Sequence, residues 1–134
     1  MPPHLFAVSL HEVDSAGVLF FSHLFRHAHD AYEGLMDSLG FPLPTLIAEG
    51  VRLPLVHAEA NYLHPLGHGE AISVEVRVTD VGRTSFALGY RFIDKAGRVR
   101  AEAATIHVHI DPVTEQSAPL PPLLAETLAA RRGA

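Results

Sequence analysis

The chain has 134 residues, the size of one domain, and 48% of them are apolar, enough to build a core. Mean hydropathy is +0.18, and no apolar run reaches the roughly 18 residues that a spanning helix needs. A net charge of −5 with no Lys/Arg cluster argues against nucleic-acid binding, and the lack of cysteine excludes disulfides, thiolate nucleophiles and cysteine zinc sites.

The start, MPPHLFAVSL, has no basic segment leading into an apolar block, so no secretory signal is expected and a cytoplasmic protein is the default. Residues 4–11 read as a first strand, followed by a turn over Asp14–Gly17. From about Ser22 to Leu39, the residues Leu24, Phe25, Ala28, Tyr32, Leu35, Met36 and Leu39 recur at helical spacing and give one broad apolar face. Gly40 and Pro42 stop that helix. Residues 43–50 read as a short connection with room for one helical turn.

The period then changes to two. Val56, Ala58, Ala60 and Tyr62 alternate with His57, Glu59 and Asn61, which predicts a half-buried strand. Ile72 to Val78 and Phe86 to Phe92 predict two more, with turns at DVGR (80–83) and DKAG (94–97). A last strand over 98–110 changes phase: Val99, Ala101 and Ala103 are odd, while Ile106, Val108 and Ile110 are even. A bulge, or burial on both faces, would account for it. The rest is a proline-rich tail over about 112–134, ending in a short, frayed helix.

One helix with a wide apolar face needs a sheet to cover it. The expected fold is α+β, a single domain over 1–134 with an antiparallel sheet of about five strands curled around one long helix. Its open edges favour a homo-oligomer. Ten histidines raise the question of a metal. His107 and His109 share a strand face, but His27 and His29 do not face each other on a helix and no HExxH occurs, so no metal site is expected.

Asp14 is the acid that stands out. It lies six or seven residues ahead of the helix, too far for an ordinary N-cap. An aspartate that merely bonds the turn accounts for it; so does a reactive carboxylate.

The segment D-x-x-G-V-L-F-F (Asp14, Gly17, Val18, Leu19, Phe20, Phe21) before the helix resembles the hotdog-fold acyl-CoA thioesterases of the 4-hydroxybenzoyl-CoA thioesterase type. HDAYEGL (29–35), NYLHPLGHGE (61–70) and GRTSFALGYRF (82–92) extend the likeness over nearly the whole chain. Within the family, AHDAYEGL, RLPLVHAEANY and APLPPLL are most similar to the 1,4-dihydroxy-2-naphthoyl-CoA thioesterases of phylloquinone and menaquinone synthesis. Phe21 and His23 depart from short-chain relatives, which often carry His and Asn there.

The resemblance implies a thioester hydrolase. Asp14 would be nucleophile or general base. The Phe21 backbone N–H at the helix start would polarise the carbonyl, and Gly17 would let the chain turn tightly beside it. His29, placed by its spacing on or near the buried face, would bond a hydroxyl of an aromatic acyl group or be satisfied by protein. His23 would line the mouth of the site or face solvent. Arg83, Thr84 and Ser85 would meet the nucleotide or pantetheine of CoA, or form an ordinary turn. Phe20, Tyr62 and Phe86 would wall an aromatic pocket, with core packing the more common use. Glu33 reads as a solvated or subunit-contact acid. No metal or redox cofactor is implied, since CoA belongs to the substrate. The rivals are a broad short-chain or 4-hydroxybenzoyl-type thioesterase and a non-catalytic acyl-CoA-binding hotdog protein.

Overall fold

A computed structural model describes residues 3–133; residues 1, 2 and 134, the ends of the expected domain, lie outside it. Strand β1 (His4–Ala7) leads through a 3-10 turn (Leu10–Glu12) to helix α1 (Phe21–Ser38) and a short helix α2 (Leu43–Ala48). Strands β2 (Leu55–Tyr62), β3 (Ala71–Val81), β4 (Ser85–Asp94) and β5 (Val99–Val108) follow, and helix α3 (Pro122–Ala130) closes the chain. All strand pairs are antiparallel and the sheet order is β1-β3-β4-β5-β2.

Helix α1 buries Leu24, Ala28, Tyr32, Leu35 and Met36 of the apolar stripe expected from spacing, leaves its Phe25 and Leu39 half-buried, and buries Ala31 as well. Gly40, at φ +85°, ends it: Gly40 N–H reaches the Asp37 carbonyl and Phe41 N–H the Met36 carbonyl, the paired bonds that satisfy a helix C-terminus. Val74, Val78, Leu88, Phe92 and Ala101 face the helix from the sheet and are fully buried. Truncating Leu24 or Met36 in such a core costs about 2–5 kcal/mol.

Three expectations change, and the one for the last strand is met. The first strand stops at Ala7, because residues 10–12 wind into the 3-10 turn that carries Glu12. Strand β2 is exposed along nearly all its length rather than half-buried, because it is an edge strand. In β5, Ala101, Ala103, Thr105 and His107 are all buried while Ile106 and Val108 are half-buried, so the strand is covered on both faces. A bulge is also present, at Arg100, where the pairing steps from Phe92↔Ala101 to Ile93↔Val99. The final helix is docked, not frayed: Leu124 and Leu128 are fully buried and α3 packs on β3. Among the described residues no helix is long and apolar enough to cross a membrane.

Candidate active site

Asp14 sits at the tip of a small hairpin. Its N–H donates to the Val18 carbonyl (2.9 Å), and Gly17 N–H donates back to the Asp14 carbonyl (3.0 Å). Gly17 holds φ +79°, a conformation L side chains avoid, and no atom lies within 4 Å of a Cβ built there. Glycine therefore serves the turn's conformation rather than making room within the chain. The Asp14 Oδ1 accepts Ala16 N–H (2.9 Å) and Val18 N–H (3.3 Å). Its Oδ2 has no hydrogen-bond or ion-pair partner among the described residues.

The chain returns through Phe20, whose extended backbone (φ −72°, ψ 142°) caps α1 and whose N–H donates to the Glu12 carbonyl (2.9 Å). The next two N–H groups, of Phe21 and Ser22, have no partner among the described residues, as the first turn of a helix dictates. Their free hydrogens and the helix dipole give this end positive potential. Tyr62 lies at the same end; burial, then the nearby Asp14 carboxylate, raises its pKa. His23 is half-buried and packs edge-on to His11.

What holds this loop against α1 is Glu12, only 1% exposed. Its carboxylate accepts Ser9 N–H (2.9 Å), His27 Nε2–H (2.7 Å) and the Arg26 guanidinium. Burial works to raise the Glu12 pKa, but these donors outweigh it and hold the group ionised. Burial lowers the pKa of His27 despite Glu12, so the imidazole is neutral near pH 7 and donates from Nε2.

A cavity of about 380 Å³ opens between α1 and strands β2, β4 and β5. Phe25, Ala28, His29 and Tyr32 line it from the helix; Leu55, Ala58, Tyr90, Thr105 and His107 line it from the sheet. Three of these polar side chains form a directed chain. The His107 Nδ1–H donates to the Leu53 carbonyl (3.3 Å), which leaves Nε2 to accept the Thr105 hydroxyl (3.2 Å); Thr105 Oγ1 in turn accepts the Tyr90 hydroxyl (2.9 Å). Burial keeps His107 neutral and pushes Tyr90 up to about 12. Tyr32 is 2% exposed, its ring stacks on His107 at 4.5 Å, and its buried hydroxyl has no partner.

The structure thus gathers Asp14, Gly17, Phe21, Phe20, His23 and Tyr62 at one end of α1. Phe20 and Tyr62 are substantially exposed there rather than packed in the core; Phe86 alone of that trio is core. His29 is not on the buried face: its side chain is 55% exposed, 3.5 Å from Glu33, at the cavity rim. One residue's rotation, about 100°, carries it past the buried Ala28, and Tyr32 occupies the inward position. Arg83, Thr84 and Ser85 lie at the far end, where Ser85 pairs with Val108 and β2 begins. The eight residues of β2 separate that turn from Tyr62 by about 25 Å. Their backbones are structural: the Arg83 carbonyl accepts Leu120 N–H and the Thr84 carbonyl accepts His109 N–H.

Glu12, His27, Tyr32, Thr105 and His107 were not singled out from sequence as site residues. A run of inward positions holding Thr105 and His107 on β5 was the available signal, hidden by the apolar residues on the other face.

Residues 8–128 match the sequence profile of the thioesterase-like superfamily. The chain belongs to this family. It is a thioester hydrolase of the hotdog fold. A 1,4-dihydroxy-2-naphthoyl-CoA hydrolase of Synechococcus elongatus is 36% identical over 119 residues, 87% of each chain. One from Rippkaea orientalis is 32% identical over 90% of each. Among solved structures, a 1,4-dihydroxy-2-naphthoyl-CoA thioesterase from Synechocystis superposes with a TM-score of 0.86 at 28% identity, covering 96% of this chain and 95% of the other. A gentisyl-coenzyme A thioesterase superposes with a TM-score of 0.81 at 25% identity, covering 93% and 97%.

Proposed function

We propose that the protein hydrolyses 1,4-dihydroxy-2-naphthoyl-CoA, releasing the naphthoate for phylloquinone or menaquinone synthesis. The observation that carries the chemistry is a free Asp14 Oδ2 in the loop that leads into α1, whose first N–H, that of Phe21, is also free and lies one helical turn before Phe25 in the cavity lining. The relatives' named substrate supplies the acyl group.

The thioester carbonyl oxygen accepts the Phe21 N–H, so charge building on oxygen meets the helix N-terminus. Asp14 Oδ2 attacks the carbonyl carbon, or takes a proton from the water that does. The carbon–sulfur bond breaks, and the CoA thiolate leaves and is protonated. In the first route a mixed anhydride is then hydrolysed. Single turnover in 18O-water distinguishes the routes, since only an anhydride opened at the Asp14 carbonyl places label in the enzyme. The reaction needs no metal or redox cofactor.

The naphthoyl ring follows the carbonyl into the cavity. Phe25 stands one helical turn, about 5.4 Å, beyond Phe21, and side chains lean toward the helix N-terminus, so Tyr32 reaches back toward the ring. Its unpartnered hydroxyl is the partner for a ring hydroxyl. The bare edge of β2, with Leu55, Val56, Tyr62 and Leu63 exposed, supports a homo-oligomer.

Kinetics across naphthoyl, hydroxybenzoyl, benzoyl and aliphatic acyl-CoAs test the reading. The dihydroxynaphthoyl thioester is expected to have the highest kcat/KM; preference for aliphatic chains overturns it. Tyr32→Phe is expected to lower kcat/KM for hydroxylated rings by up to about tenfold while sparing benzoyl-CoA. Because it removes an unsatisfied buried hydroxyl, it does not lower thermal stability.

A further inference from the structure

Strand β1 lies beside the flank of α1 and brings together three side chains that the proposed reaction does not use. His4 Nε2 is 3.1 Å from His27 Nδ1 and 3.8 Å from Asp30 Oδ2, and all three atoms lie within 4.8 Å of one another. Asp30 follows His27 by three residues and so shares its helix face.

His27 is prepared as a ligand. Its Nε2–H is committed to the buried Glu12 carboxylate (2.7 Å), so Nδ1 carries a lone pair toward His4. Stacking on Phe6, at 3.5 Å between ring centres and 8° between planes, fixes the ring. A carboxylate behind a histidine, setting its tautomer and basicity, is the outer shell that metal-bound imidazoles have. Ligand bonds of about 2.0–2.2 Å around a tetrahedral ion imply ligand separations near 3.3 Å, close to the two distances from His4. His4 and Asp30 are half-exposed, which gives an ion a way in and leaves room for water as a further ligand.

We propose that His4, His27 and Asp30 form a divalent transition-metal site, with Glu12 as the group that orients His27. Two imidazoles and one carboxylate, with no thiolate, suit zinc, nickel or cupric ions rather than calcium or magnesium. The site staples a four-residue edge strand, whose Leu5 is 70% exposed, to the central helix. It is structural and takes no part in hydrolysis. Spacing in the sequence hid it, because His4 and His27 are 23 residues apart.

The test is calorimetric titration of Zn2+ into metal-free full-length protein, with thermal melts alongside. One tight site is expected, with a raised thermal midpoint. Asp30→Asn and His4→Gln, both at partly exposed positions, each weaken binding at least about tenfold and abolish the zinc-induced shift; Glu12→Gln weakens it about 10–100-fold. His57→Gln, at the exposed His57–Glu59 pair, changes neither. Chelation lowers the midpoint without changing kcat. The proposal is overturned if wild type shows no saturable zinc binding, or if Asp30→Asn and His4→Gln bind zinc as wild type does.

Discussion

DSAG (14–17) and DKAG (94–97) are the same turn built twice. In each, the aspartate Oδ1 accepts the N–H groups two and four residues on: Ala16 and Val18 at 2.9 and 3.3 Å, Ala96 and Arg98 at 2.9 and 3.0 Å. In each, the glycine N–H bonds the aspartate carbonyl at 3.0 Å with a positive φ, +79° and +83°. The difference is what meets the second oxygen. Asp94 Oδ2 lies 3.2 Å from Arg100 and 3.5 Å from Arg98. The Arg98 N–H, and then the Arg100 guanidinium against a desolvation cost, hold its pKa below the usual carboxylate range. Asp14 Oδ2 meets no cation among the described residues and stands instead near Tyr62 and a bare helix N-terminus. An aspartate turn is thus only a scaffold; the neighbours of one oxygen separate a paired acid from a free one.

The sharpest way to break this comparison is to neutralise both acids. Asp14→Asn keeps the Oδ1 acceptor and hence the turn, so the fold and melting midpoint are retained while kcat falls about 10²–10⁴-fold. Asp94→Asn loses two cation contacts, lowering the midpoint and leaving kcat unchanged. Steady-state kinetics with thermal melts decide it: an Asp14→Asn enzyme with wild-type turnover, or an equal kinetic loss in Asp94→Asn, ends the distinction.

Alanine at the two glycines sharpens it. Both positions are left-handed and open, so Gly17→Ala and Gly97→Ala should each cost about 1–2 kcal/mol of stability by denaturant unfolding. Turnover should fall in Gly17→Ala alone, because relaxing that strain moves Asp14. Equal kinetics in both variants would show that the turn does not aim the carboxylate.

The smallest effects are in pH. A carboxylate with a lowered folded pKa stabilises the protein above its unfolded value, 3.8 for Asp94, and that contribution disappears as pH falls through the folded value. Wild type and Asp94→Asn should therefore melt apart at neutral pH and converge in acid. His27 and His107 are also lowered, from 6.5, so the unfolded chain takes up their protons first and both proteins lose stability as pH drops below about 6.5. Melting midpoints that stay flat between pH 7 and 5 would contradict the burial of these imidazoles.

Much of the fold was legible because its periodicities are local. The apolar stripe of α1 and the alternation in β3 and β4 appear in consecutive residues, and DSAG, DKAG and Gly40 announce their own turns. The turn that carries Asp14 was legible for the same reason, but the residues alone left that acid's role open and the family resemblance supplied it. His29 was read only as on or near the buried face, because neighbouring helix positions differ by about 100° and a spacing argument at the edge of an apolar face does not decide which side of it a residue joins; the structure puts it at the rim. β2 was misread because alternation says which face is apolar but not whether anything covers it. Glu12 and His27, or Thr105 and Tyr90, are partners across 15 residues, and no local pattern records such a pair.

By itself, then, the sequence determined the elements, their order, the two aspartate turns and the helix start that follows Asp14, since each depends on bonds between near neighbours. Tertiary structure alone decided which aspartate oxygen stays free, that Tyr32 rather than His29 turns inward, and that His4 meets His27. Those outcomes depend on side chains converging from separate elements, where burial and the partners it imposes set both geometry and charge.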